Sequence, residues 1–151
     1  MADDTTLAVS YYTYGRFVYN SAKLLSDNIE FKRASYGDIF TLMPFYYLAS
    51  HAAELFLKAA LLKRGFGETN LRRIEYRHNL EALLDQLESK GVPVSESSRT
   101  MVKKLGAQHR THELRFPDLV KGINVFLPEP NAVFETLDEL FLLTRISTHG
   151  V

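Results

Sequence analysis

The sequence predicts an all-α fold, an up-and-down bundle of four to five helices joined by short connections. Apolar residues recur at intervals of three and four in five segments, the period of a helix with one buried face. Glycine and proline fall mostly between those segments. No two segments read as paired strands. Asn124-Val125-Phe126-Leu127 is too short and has no partner.

The first helix is expected from about Thr5 to Asn28, with Leu7, Tyr11, Tyr14, Val18 and Leu25 on its inner stripe. Gly15 lowers its intrinsic propensity by ~1 kcal/mol relative to alanine and allows close packing. The second is expected between Asp38, as cap, and Gly65, just past its last turn. Phe45, Leu48, Ala52, Leu55, Ala59 and Leu62 form its seam, with Phe56 and Leu57 widening the apolar arc. Pro44 should mark the true start of this helix or kink its first turns. A basic loop, Leu71 to His78, precedes a short third helix from about Asn79 to Lys90. Leu80, Leu83, Leu84 and Leu87 point inward there, and Gly91 and Pro93 end it. A fourth helix begins within Ser95-Glu96-Ser97-Ser98 and carries Met101, Val102 and Leu105. The last is expected from about Asn131 to Thr148, with Val133, Leu137, Leu140 and Phe141 inward.

The 151 residues suit a single domain, 1–151, and are enough for one core without disulfides. Apolar residues make up 46 % and charged residues 24 %, which excludes large-scale disorder. Eighteen basic residues balance eighteen acidic ones, so no global field steers the chain to nucleic acid or anionic lipid. With no cysteine, thiolate catalysis and cysteine zinc sites are excluded. No apolar run is long enough to span a bilayer. The start, Met1-Ala-Asp-Asp-Thr-Thr, lacks the order of a secretion signal, and the expected location is cytoplasmic.

Glu54-Leu55-Phe56-Leu57-Lys58-Ala59-Ala60-Leu61-Leu62-Lys63-Arg64-Gly65 is followed, after a loop, by His78-Asn79-Leu80-Glu81-Ala82-Leu83. This resembles the HEPN family of small helical-bundle domains. Their second helix commonly reads E-x-x-x-K-A-x-L with a closing glycine, and their third opens with H-x-L-x-x-L. Glu54, Lys58, Ala59, Leu62 and Gly65 match the first pattern, and His78, Leu80 and Leu83 the second. Arg115-Phe116-Pro117 is similar to the family's Arg-Tyr-Pro, with Phe in place of Tyr. The resemblance implies a homodimer and one of two roles. One is a non-enzymatic module associated with nucleotides or nucleic acid, in some cases beside a nucleotidyltransferase partner. The other is a metal-independent RNase of the toxin–antitoxin kind, in which an Arg-x(4–6)-His motif supplies a proton-moving histidine and a phosphate-stabilising arginine. A structural helical subunit of a larger complex is a third reading, and the binding module is the one adopted.

Two places carry the RNase pattern in part. Arg73 precedes His78 with four residues between, and Arg72 with five. Near the end, Arg145 and His149 are four apart and would share a helix face, but with three intervening residues and no asparagine. Arg72, Arg73, Arg77 and His78 also make a local basic cluster just before a helix N-terminus, and with Lys58 they are the candidate ligand-binding residues. Glu54 and Lys58 form either a solvated helix pair or a half-buried pair at a shared groove. His78 either bonds the first backbone groups of the third helix or contacts ligand. His109 and His112 are three apart, a spacing that can bind zinc, but no third ligand is evident, so neither metal nor cofactor is expected. Tyr11, Tyr12, Tyr14, Tyr19, Tyr46 and Tyr47 exceed what one helix face needs, which suggests core packing, a dimer interface or a base-stacking surface.

Overall fold

The computed structural model of the chain describes residues 3–34, 39–110 and 127–145. Among these the fold is an all-α bundle with no strand. Its helices are α1 (Asp4–Asp27), α2 (Ile29–Arg33), α3 (Ile39–Leu62), α4 (Glu68–Leu71), α5 (Leu80–Ser89), α6 (Glu96–Arg110) and α7 (Pro130–Leu143), with a 3₁₀ turn at Ile74–Tyr76. None of the helices is long and apolar enough, over the described residues, to cross a membrane.

Local chemistry sets the helix ends. Asp3 caps α1, its carboxylate accepting from the Thr6 amide at 2.7 Å. Asn28 closes α1 and caps α2, accepting from the Glu30 amide at 2.8 Å. After α3 the Phe66 amide donates to the Leu61 carbonyl and the Gly65 amide to that of Leu62, with Gly65 at φ +84°. That pairing needs a left-handed residue, which glycine adopts without strain. Pro44 lies in the second turn of α3, so the helix begins before it. It has no N–H to donate to the Phe40 carbonyl one turn back.

The core is organised around α3, which packs against α1, α5, α6 and α7. A single seam was expected on this helix, but most of its circumference is buried, leaving Thr41 and Pro44 exposed and Tyr47, Leu48, His51 and Lys58 partly so. Ala53, Glu54, Phe56, Leu57, Ala60 and Leu61 are as enclosed as the seam residues Ala52, Leu55 and Ala59. A helix buried over most of its circumference belongs at the centre of a bundle. Leu80, Leu83, Leu84 and Leu87 of α5 point inward as expected, as do Val102, Leu105, Val133, Leu137 and Leu140 of α6 and α7. The face of α1 is rotated from the expected one. Ala8, Gly15, Ala22 and Ser26 are buried, Leu7, Tyr11 and Val18 are half-buried, and Tyr14 is 62 % exposed. Small residues let α1 approach α3 closely, so the larger ones flank the contact line.

The final helix is shorter than the sequence suggests. It ends at Leu143, where Thr144 donates its hydroxyl to the Phe141 carbonyl at 2.6 Å. Arg64 reaches across from the end of α3 to the Leu143 carbonyl at 2.8 Å, satisfying a terminal acceptor. Leu55 tests the packing directly. It is 7 % exposed, so Leu55→Ala should lower stability by about 2 kcal/mol in urea denaturation, the low end for a buried leucine. A loss below about 0.5 kcal/mol, the size of a surface change, would contradict its burial.

Candidate functional site

Glu54 is the one charged residue of α3 between Ile39 and Leu57. Its side chain is 2 % exposed, and a carboxylate so enclosed requires partners. Three converge on it. Lys58, one turn later on α3, places Nζ 2.8 Å from Oε1. His109, in the last turn of α6, places Nε2 2.8 Å from Oε2. His78, just before α5, places Nδ1 3.2 Å from the same Oε2. The two imidazole rings meet edge to face, with centroids 5.7 Å apart. Burial by itself would raise the Glu54 pKa. The hydrogen bond from His109 and the charge and hydrogen bond of Lys58 outweigh it and hold the carboxyl well below the usual carboxylate range.

The backbone around His78 explains how it gets there. His78 adopts φ +53°, a left-handed conformation rare for a residue with a Cβ. Asn79 follows and caps α5, accepting from the Ala82 amide at 3.1 Å. The helix-end role expected of His78 thus belongs to Asn79, a better capping residue. The solvated reading of Glu54 and Lys58 is also corrected: the carboxylate is enclosed and the Lys58 side chain is 16 % exposed.

Beside this cluster, Tyr11, Lys58, Leu71, Arg72 and Arg77 line a cavity of about 230 Å³. Lys58 belongs to both features, and its ammonium also lies 5.7 Å from the Tyr11 ring centroid. Arg72 pairs with Glu68. No carboxylate among the described residues pairs with Arg77. Arg73 does not line the cavity and instead pairs with Glu75 at 2.8 Å. Of the candidate RNase residues, Arg73 engages Glu75 and Arg72 engages Glu68, while His78 engages Glu54. Arg145 lies past the end of α7, its guanidinium 5.0 Å from the Phe141 ring centroid. His149 and His112 lie outside the described residues, as does Arg115-Phe116-Pro117.

A larger cavity, about 590 Å³, is lined in part by Lys23, Lys32, Asp27 and Glu129. Its charges cancel, so it has no preference for an anion. His109 was not connected to Glu54 at the sequence level. The isolated acid in an apolar helix was a usable signal that something must pair with it, but nothing local identifies a partner 55 residues away. Compared with protein-family models, curated proteins and solved structures, the chain matches none.

Proposed function

We propose that this chain is a HEPN-like, non-enzymatic binding module that holds a phosphate-bearing ligand, a nucleotide or an RNA phosphate, in the cavity beside His78. The observation that carries this is the charge of the cavity wall. Lys58, Arg72 and Arg77 converge there, while carboxylates offset only Lys58 and Arg72. An excess positive charge in a concave site favours an anion, and an arginine fork matches phosphate oxygens. Tyr11 adds a ring on which a base can stack. The resemblance adds support: its Glu54 and Lys58, one turn apart on α3, meet its His78 from 24 residues away beside this cavity.

The same reading includes a symmetric homodimer. Phe56, which widens the apolar arc of α3, is fully buried, and Tyr12 stacks on Phe141. The exposed apolar residues of α1 are Val9, Tyr14, Phe17 and Leu24. These are the surface a second copy would cover.

The test is a titration with ATP and with a short single-stranded RNA at two salt concentrations. Arg72→Ala/Arg77→Ala should weaken binding at least about tenfold, given ~1.5–3 kcal/mol for each hydrogen bond to a charged group. Affinity should fall as salt rises. Arg73→Ala, outside the cavity, should bind like the wild type. Equal affinity in the double variant would remove this cavity from consideration, and no binding at all would favour the structural-subunit reading. Metal-free cleavage of RNA, abolished in His78→Ala, would replace the binding module with the RNase. Light scattering on the same protein should give about twice 17.3 kDa, and a monomer would discard the dimer.

A further inference from the structure

We propose that Glu54, His78 and His109 form a site for a divalent transition-metal ion of the zinc type. This inference does not depend on the phosphate reading. One ligand atom from each of Glu54, His78 and His109 lies within 4.8 Å of the other two. Two of the separations are 2.8 and 3.2 Å. Ligands on a tetrahedral zinc with bonds of ~2.0–2.1 Å sit roughly 3.3 Å apart, so little movement is needed to admit an ion. Two imidazoles and one carboxylate are a donor set that suits zinc and its transition-metal neighbours rather than calcium or magnesium.

The surroundings fit as well. Lys58 holds the other carboxylate oxygen, Oε1, and so fixes Oε2 toward the two rings without taking a ligand position. Its positive charge opposes that of the ion and limits affinity without blocking the site. Glu54 and His109 are enclosed, whereas the His78 side chain is 34 % exposed. An ion can enter on that side, and water can complete its coordination there. The left-handed backbone at His78 is held by its surroundings, and it aims the ring at the carboxylate before any ion arrives. Binding requires each ring to carry its proton on the nitrogen away from the ion, Nε2 of His78 and Nδ1 of His109, and the latter is buried with no acceptor among the described residues, which lowers the affinity expected of the site. His109 and His112 had no third ligand evident in sequence. The structure instead joins His109 to residues from α3 and from the turn before α5.

The test uses the full, untagged chain, stripped of metal and titrated with Zn²⁺ alone, then with Co²⁺. One zinc should bind per chain, and cobalt should develop the visible absorption of a low-coordinate nitrogen and oxygen site. His78→Ala, at the exposed edge, should keep the wild-type circular dichroism and lose at least about tenfold in zinc affinity. Glu54→Gln should do the same. Should either variant fail to fold, a zinc-dependent rise in the melting temperature of the wild type that is missing in His78→Gln gives the same answer. No zinc binding by the wild type, an octahedral cobalt spectrum, or undiminished binding in the His78 variants would overturn the site. ATP and RNA binding are measured without metal, so the two readings fail separately.

Discussion

Glu54→Gln is expected to lower stability by about 3 kcal/mol at neutral pH, the low end for breaking a buried ion pair. The variant keeps the shape of the side chain and removes its charge. The carboxylate is 2 % exposed and receives Lys58 on one oxygen and both His78 and His109 on the other. An amide offers one acceptor and one donor end. Whichever way it is turned, its NH₂ faces either the ammonium or the two imidazole nitrogens. The effect stays at the low end because the Lys58 side chain, 16 % exposed, can find water. The pH dependence has a definite sign. The folded Glu54 carboxyl sits below its ordinary value of 4.5, so its contribution is complete above that pH and is lost as pH falls. The gap between wild type and variant, read from urea midpoints, should therefore narrow on acidification below 4.5. A neutral-pH loss under about 1 kcal/mol, the size of an exposed pair, would mean that the cluster is solvated.

What could be read in the sequence depended on how many faces each helix buries. The α5 leucines at 80, 83, 84 and 87 have one core side and one wet side, so their period names the inward residues correctly. The period misleads for α3, because this central helix keeps only a narrow, partly exposed stripe through Pro44, Tyr47, His51 and Lys58, and the heptad pattern marks only part of what is buried. It also misleads for α1, where the contact line is made of Ala8, Gly15 and Ala22 and a search for large apolar residues passes over it. Short elements such as α2 and α4 are too brief for any period to show. Within the site, Glu54, Lys58 and His78 could be picked out by spacing and resemblance. The capping role at His78 was misplaced by one residue. The union with His109 depends on how α6 packs against α3, which no local pattern encodes.

Gly15→Val should also lower stability by about 3 kcal/mol, the upper range for overpacking a well-filled core. A Cβ at Gly15 would stand 2.6 Å from Phe56 Cε1 and 2.8 Å from Cδ1, closer than carbon atoms approach. The ring cannot easily yield. Phe56 is fully buried, tilted against Tyr19 at 6.5 Å and edge-on to Phe141 at 5.7 Å between centroids. Either α1 moves away from α3 or Phe56 leaves its rotamer, and both disturb the best-packed seam of the bundle. Gly15→Ala separates sterics from propensity. On a free helix face it would gain ~1 kcal/mol, whereas here the clash should turn that gain into a net loss. Phe56→Leu removes the ring atoms in question, so it should cost less in the Gly15→Ala background than in the wild type. The coupling should be about 1–2 kcal/mol in a double-mutant cycle. Additive effects, or a Gly15→Ala variant stabilised by about 1 kcal/mol as at an exposed site, would mean that α1 does not sit against Phe56.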